Sequence, residues 1–377
     1  MMKEHHETLM RILDNADLGR ALGYEEVRFL LSLCDEESLA ALFKAARRKR
    51  SRHFGNKVFL YGFIYFSTHC NNDCLFCKYR KSNSALSRYR KSLSEIEETV
   101  CEMIHSGVHL IDLTMGESSY FYQRGDIGFK ELSTIVRSVK KTGGVPLMIS
   151  PGVVPSKVLQ DLQAAGADWF ACYQETYNRS LFSRLRVGQS FDNRLSAKRT
   201  AGKLGMLIEE GILLGVGETI DDVSDAIVAM RNFNAGQVRV MTFVPQSGTP
   251  MADHRVLNEL QELVTIAVLR LTMPDKLIPA SLDVDGLGGL QKRLDAGANV
   301  VTSLVAPGKG LSGVAHQKMD IEQARRTPQA VMPVLADCGL RTATLREYLA
   351  WVETQRSRPS PFHQDRQSVC GIEHKVA

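Results

Sequence analysis

Three cysteines stand within eight residues in Thr68-His69-Cys70-Asn71-Asn72-Asp73-Cys74-Leu75-Phe76-Cys77. They follow an apolar, strand-like run, and packing alone gives no reason for three thiols so close together. Soft thiolates in a C-x3-C-x2-C spacing suit a metal centre, and an iron–sulfur cluster better than a zinc ion. A structural zinc site takes four protein ligands, and His69 is the nearby candidate for the fourth. Three thiolates on a 4Fe–4S cluster leave one iron without a protein ligand. Chemistry needs such an open iron; electron transfer alone does not. The other five cysteines, Cys34, Cys101, Cys172, Cys338 and Cys370, are scattered through the chain, as small buried hydrophobes are.

A second set of residues is conspicuous because it is polar within apolar runs. Asp112 shares a strand face with Leu110 and Thr114, Arg239 lies between Val238 and Val240, Ser281 and Asp283 share a face, and Thr302 and Ser303 end another run. A charge in such a place must be paired or face a pocket. One reading is a buried ion pair between Arg239 and an acid that supports the fold. The other is a pocket for a zwitterion with an extra amine. Arg239 then takes a carboxylate, each charged bond contributing roughly 1.5–3 kcal/mol, and Asp112 and Asp283 take ammonium groups. That pattern describes a diamino acid such as lysine or ornithine.

The elements that must position these residues follow from the hydrophobic pattern. Residues 1–56 carry apolar side chains at helical spacing, ending in a basic run from Arg47 to Arg52. No aromatic residues interleave with those charges, so they read as a solvated helix end rather than a nucleic-acid contact. From residue 57, eight short apolar runs alternate with amphipathic stretches: 58–66, 109–114, 145–150, 168–173, 206–214, 237–243, 276–282 and 298–304. Ser92-Leu93-Ser94-Glu95 reads as a capping box opening one of the helices between them. Eight strand–helix units predict an α/β fold, a (β/α)8 TIM-type barrel over 57–315. It carries an N-terminal helical extension over 1–56 and a C-terminal helical segment and polar tail over 316–377. An open doubly wound sheet is the alternative, but no Gly-rich dinucleotide fingerprint is present. Chemistry in such barrels sits at the C-terminal ends of the strands. The cysteine loop follows the first strand, and so lies at that mouth.

Composition bounds the rest. The 377 residues are 44% hydrophobic and 24% charged, with 47 Lys and Arg against 42 Asp and Glu, a net charge of +5. That excludes disorder and collagen-like repeats. No apolar run reaches the ~20 residues a membrane helix needs. The opening residues lack the hydrophobic core of a secretory signal, so the cytoplasm is the default location. Neither nucleic acid nor membrane is indicated as a partner, and nothing in the sequence bears on oligomeric state.

The cysteine motif, with Phe76 just before its last cysteine, resembles the signature of the radical S-adenosylmethionine (SAM) superfamily. There the open iron chelates the amino and carboxylate groups of SAM. Glu175, with Arg186 and Arg194 in the stretch Leu185 to Arg194, then becomes a candidate for holding SAM's polar ends. Residues 50–325 further resemble the methylornithine synthases, the lysine mutases of pyrrolysine biosynthesis. The blocks that carry this are Phe54-Gly55-Asn56, Phe63 to Thr68, Asp112 to Glu117, Met148 to Gly152, Tyr173 to Tyr177, Leu185 to Phe191, Arg239 to Phe243 and Ile278 to Asp283. Biotin synthase and the hydrogenase-maturation radical enzymes share the fold and the cluster motif. This resemblance implies an isomerase that converts L-lysine to (3R)-3-methyl-D-ornithine through a 5′-deoxyadenosyl radical, fragmentation and recombination, with flavodoxin or ferredoxin supplying the electron. It implies that Cys70, Cys74 and Cys77 hold one 4Fe–4S cluster, and that Phe76, Ser150, Tyr173, Glu175, Arg186 and Arg194 surround the cluster and SAM. Asp112, Arg239, Ser281 and Asp283, with Thr302 or Ser303, line the amino-acid pocket. One departure is Met115-Gly116-Glu117, where the superfamily pattern has Gly-Gly-Glu. Two other functions compete. A sulfur-inserting enzyme like biotin synthase needs further barrel cysteines, and Cys172 is the only extra one on a predicted strand. A non-enzymatic, zinc-stabilised binding module needs zinc without iron or sulfide.

Overall fold

A computed structural model describes residues 2–306 and 326–358. Each of the eight apolar runs contains a strand: β1 Lys57–Ser67, β2 Leu110–Met115, β3 Leu147–Ser150, β4 Trp169–Ala171, β5 Leu207–Leu214, β6 Gln237–Thr242, β7 Pro279–Ser281 and β8 Val300–Leu304. They lie side by side in the order β6-β5-β4-β3-β2-β1-β8-β7, all parallel. The two ends meet where Gln237 bridges Leu277, just ahead of β7. Val238 N–H donates to Leu277 O at 2.9 Å and Leu277 N–H to Gly236 O at 3.1 Å. Sequential order with the ends joined is the (β/α)8 TIM-type barrel, not the doubly wound sheet.

Parallel neighbours need crossovers, and helices such as Leu93–His105, Phe191–Lys203 and Glu259–Thr272 provide them. The capping box is present: Ser92 N–H donates to Glu95 Oε2 at 2.7 Å, and Glu95 N–H to Ser92 Oγ at 3.3 Å. Because side chains alternate along a strand, β1 buries two apolar faces. Val58, Leu60, Ile64 and Phe66 pack outward against the helices, while Tyr61, Phe63 and Tyr65 form an aromatic column inside the barrel. The ring centroids of that column are 4.8 and 5.5 Å apart.

The bottom of the barrel is plugged by the helix Leu345–Arg356. Tyr348 packs 5.3 Å from Phe59, and Trp351 stacks on Trp169 at 6.0 Å. His109 ties this plug to the sheet. Its Nδ1 accepts from Leu60 N–H at 2.8 Å, so Nε2 carries the proton and donates to Ala343 O, also at 2.8 Å. The stretch 316–355 reads as helical, and the described part contains the helices Pro328–Asp337 and Leu345–Arg356. A two-residue strand between them, β9 Arg341–Thr342, pairs with Lys57 and Val58 of β1. Much of the polar tail lies outside the described residues.

The first 56 residues form the helices Met2–Asp17, Tyr24–Leu31 and Glu36–Phe54. The basic run is not a solvated helix end. Lys49 and Arg50 are buried, and the run docks the extension onto the barrel. Arg47 donates to Asp295 O at 3.1 Å, Arg50 to the carbonyls of Leu294 and Ala298, and Lys49 to Ala16 O; Arg48 pairs with Asp17. Backbone carbonyls at the ends of neighbouring helices accept these cations, a pairing that composition does not reveal. Among the described residues, no helix is long and apolar enough to cross a membrane.

Candidate active site

At the C-terminal end of the strands is a cavity of about 250 Å³. The cysteine loop forms one wall. Its backbone is fastened on both sides: Asn71 N–H donates to Glu117 O and Leu75 N–H to Leu185 O, each at 2.9 Å. Arg88 gathers the loop from behind, donating to the carbonyls of Thr68, Tyr79, Arg80 and Asn83. Cys70, Cys74 and Cys77 all line the cavity. Gln189 Nε2 donates to Cys74 Sγ at 3.0 Å, with Arg186 Nη1 3.7 Å from the same sulfur. Arg186 also lies over the Phe76 ring, 5.3 Å from its centroid. Burial, then the neighbouring thiols, push Cys77 far up, and burial pushes Cys70 up. Three thiols this close oppose one another's ionisation, and only a strongly cationic centre reverses that.

The fit of a cluster shows in Gly116. A Cβ there would lie 2.7 Å from Cys70 Cβ and 2.8 Å from His69 O, so the loop rests directly on the end of β2. Among the described residues no three His, Cys, Asp or Glu side chains converge on a single-ion site; the thiolates of a four-iron cluster each take a different iron.

Next to the loop, β4 ends in Cys172-Tyr173-Gln174-Glu175. Glu175 adopts a left-handed backbone (φ 67°), unusual for a residue other than glycine. Its Oε1 accepts from Arg186 Nη2 at 2.8 Å. Burial raises its carboxyl, with Arg186 and Arg194 opposing. The Tyr173 carbonyl receives Arg186 Nη2 at 3.2 Å and Arg194 Nε at 2.7 Å. Glu175 Oε2 and Arg186 Nε are buried with no hydrogen-bond partner. A buried acceptor and a buried donor left open at one cavity wall match the polar groups of a bound zwitterion such as SAM. Glu117, at the departure from the superfamily pattern, accepts from Val153 N–H at 3.0 Å and lies 3.9 Å from Arg194. Gly152 makes room for it: a Cβ there would sit 2.3 Å from Glu117 Cγ.

Deeper in are the polar strand residues. Asp112 is 1% exposed. Tyr61 Oη lies 3.0 Å from its Oδ2, and it accepts from Thr114 Oγ1 at 2.6 Å and Ser150 Oγ at 2.8 and 2.9 Å. Burial pushes its carboxyl up to about 6, although the Thr114 and Ser150 hydroxyls oppose the shift. Ser150 thus donates to Asp112 while lining the same cavity as Glu175, Arg186 and Arg194. Arg239 also lines the cavity, and it does form a buried ion pair. Its Nε donates to Glu209 Oε1 at 2.9 Å, and Nη1 donates to Thr302 Oγ1 at 3.1 Å. Burial works against its charge, and Glu209 more than restores it.

Asp283 has a cation of its own. Arg326 Nη1 donates to its Oδ1 at 2.6 Å, and Ser303 and Ser281 donate to Oδ2 at 2.6 and 3.2 Å. Burial tends to raise the Asp283 carboxyl, but Arg326 first and Ser303 next hold it below its usual range. Ser303, at φ 66°, reaches it from a left-handed backbone.

Four residues of this site are absent from the sequence reading: Tyr61, Glu209, Gln189 and Arg326. Glu209 had a visible signal. Glu209 and Glu210 are adjacent acids inside the apolar strand β5, and adjacent strand residues face opposite ways. Glu209 points inward to Arg239, and Glu210 outward to Lys198. Arg326 had none, because it comes from the segment set apart from the barrel. Cys172 lines the cavity as well, the only further cysteine to do so among the described residues.

Comparison with known proteins supplies the kinship. The radical SAM superfamily model matches residues 64–229. The 3-methylornithine synthase of Methanosarcina acetivorans is 44% identical over 342 residues, 91% of this chain and 96% of that protein. The hydrogenase maturase subunit HydE of Thermotoga maritima is 33% identical over 280 residues, 74% of this chain and 78% of that one. The crystal structure of methylornithine synthase PylB superposes with a TM-score of 0.85 at 43% identity, covering 90% of this chain and 99% of that one. With the parallel barrel and its thiol-bearing mouth in view, the chain is a radical SAM enzyme, with one 4Fe–4S cluster and SAM as cofactors, and belongs to the 3-methylornithine synthase family.

Proposed function

We propose that the chain converts L-lysine to (3R)-3-methyl-D-ornithine. The enzyme is an isomerase of the mutase kind, acting on a small molecule. One observation carries the choice of a diamino acid: Arg239 and Asp112, opposite charges each with other partners, border one cavity behind the three thiols. When bound, the cluster and SAM supply a radical that removes a hydrogen atom from the substrate.

The chain's own residues do the rest. Cys70, Cys74 and Cys77 hold the cluster, and Gln189 and Arg186 donate to Cys74. Glu175, Arg186 and Arg194, with the Tyr173 carbonyl and Phe76, hold SAM. Arg239, backed by Thr302, takes the substrate carboxylate, and Asp112, held by Ser150, takes an ammonium. Asp283, with Ser281 and Ser303, offers acceptors for the second amine. The aromatic column of β1 keeps water and stray hydrogen donors away from a radical fragment pair. Holding both fragments in register between charged ends is the contribution that orientation makes.

The electron comes from a flavodoxin or ferredoxin. Residues 69–91, which include the cysteine loop, carry six cations against one anion, equal to the net charge of the whole chain. Such a basic rim suits a small acidic carrier. The cytoplasm is the setting, where the seven described cysteines, all free, stay reduced.

The test is anaerobic reconstitution with iron and sulfide, followed by incubation with SAM, a reductant and isotope-labelled lysine. Labelled methylornithine is the expected product. A loaded enzyme that leaves lysine unchanged refutes the reading, and a different rearranged amino acid would point to a sister radical enzyme.

A further inference from the structure

Asp112 and Arg239, an acid and a cation, border the same cavity, yet neither takes the other as its partner. What stands beneath them explains this. Glu209, 0% exposed, accepts from Arg239 Nε at 2.9 Å and from Gln237 Nε2 at 2.5 Å. The Tyr61 hydroxyl lies 3.0 Å from Glu209 Oε2 and 3.0 Å from Asp112 Oδ2. Met148 Sδ completes its surroundings at 2.9 Å. The Tyr61 ring is fixed by Phe63 and lies under Arg239, 5.7 Å from the guanidinium carbon.

We propose that Tyr61 and Glu209 are positioning residues of the cavity floor, which keep Arg239 and Asp112 from pairing with each other and make Asp112 give up a proton when the substrate's ammonium docks. This rests on the diamino-acid reading of the cavity for the identity of the docking group only.

The floor is short of hydroxyl hydrogens. A phenol has one, and two carboxylates lie within hydrogen-bond distance of its oxygen. Glu209 is the ion-pair partner of Arg239, at 2.7 Å, so the Tyr61 hydrogen goes to Glu209. The phenol oxygen then turns a lone pair toward Asp112 Oδ2, which a protonated Asp112 satisfies by donating. Thr114 and Ser150 can still donate to the same carboxyl group. The other groups around Asp112 are Tyr65 of β1, Tyr173 two residues beyond β4 and Arg239 of β6, and none of them is a second free cation. Burial, with Glu209 adding to it, agrees in placing the Asp112 carboxyl at about 6. At and below about pH 6, where the acid is neutral, docking of an ammonium converts it to a carboxylate ion-paired with the substrate, and the proton leaves to solvent. Charge and protons balance without a further reactant.

Two variants test this arrangement. Tyr61→Phe keeps the ring and removes the acceptor to which a protonated Asp112 donates. The acid limb of kcat/KM for the amino acid then moves down, by about one pH unit. Glu209→Gln removes the charge that raises Asp112 and frees Arg239 to pair with it. The acid limb moves down and KM rises about 10- to 100-fold with kcat little changed, the range for one charged hydrogen bond. Substrate-free holoenzyme gives a readout that does not depend on lysine: a protonated-carboxyl infrared band that Asp112→Asn abolishes, and that is lost at a lower pH in both variants than in the parent. Should Glu209→Gln not fold, Tyr61→Phe decides alone. Profiles that superimpose on the parent, or a Tyr61→Phe limb that moves up as loss of a donor to Asp112 requires, overturn the proposal. Failure of lysine turnover with the infrared shifts intact would count against the substrate and not against the floor.

Discussion

Gly116 offers a quantitative test of the cysteine loop. Its backbone is not left-handed, so alanine there adds no backbone strain, and the cost is contact alone. The added Cβ would stand 2.7 Å from Cys70 Cβ, 2.8 Å from His69 O and 3.1 Å from Cys70 Sγ. Relief to ordinary carbon contact needs a retreat of about 0.7–1 Å. The loop is not free to make it, because Asn71 N–H is bonded to Glu117 O at the same strand end. Breaking that bond costs about 1 kcal/mol, and overpacking costs about 1–3 kcal/mol in all. A barrel of this size survives such a loss, but a ligand displaced by that much does not meet its iron. Gly116→Ala therefore keeps the fold, melts slightly lower, and loses most of its iron and sulfide after anaerobic reconstitution. Gly288→Ala is the control, since nothing lies within 4 Å of its added Cβ. A Gly116→Ala protein with a full cluster and parental melting would falsify the placement of Cys70 against β2.

Three further outcomes follow from other parts of the molecule. His109 accepts from Leu60 N–H, and burial lowers its pKa; the unfolded imidazole binds a proton near 6.5 while the folded one resists, so stability falls as pH drops through that value, to about 6.5 and below. His109→Gln removes that component, visible as the difference between parent and variant melting from pH 7.5 to 5.5; parallel curves would contradict it. Arg326→Met leaves Asp283 buried beside hydroxyls without its cation, an expected loss of about 3–5 kcal/mol in urea unfolding, partly recovered by adding Asp283→Asn; an unchanged midpoint would remove the pair from the account. Lys78→Glu with Lys81→Glu slows turnover driven by flavodoxin or ferredoxin and flattens its salt dependence, while turnover driven by dithionite is unaffected; equal losses with both reductants would refute a docking role.

Much of the architecture was legible because parallel barrel strands are buried on both faces and so read as continuous apolar runs. The eight runs needed no long-range information, and the cysteine spacing is local as well. The remaining features depend on partners distant in sequence. β9 is two residues long and exists only by pairing with the start of β1. Within the basic run, Arg47 and Arg50 are spent on carbonyls of residues 294–298, over two hundred positions away. Asp112, Arg239 and Asp283 stood out as charges in apolar strands, but their partners did not. Glu209, Tyr61 and Arg326 reach them from three other places in the chain, and only the closed barrel brings the five strands and the returning segment together. Ser150 shows the same limit, because its strand end reads equally well for either half of the cavity.

The central claim is that three thiolates present a cluster with one iron open to SAM, beside Glu175 and Arg186. The measurement that tests it most directly is the electron paramagnetic resonance spectrum of the one-electron-reduced, reconstituted protein, with and without SAM. The account predicts a 4Fe–4S signal that changes when SAM is added, and is lost in Cys74→Ala. A protein that carries zinc in place of iron and sulfide, or a cluster signal indifferent to SAM, contradicts it.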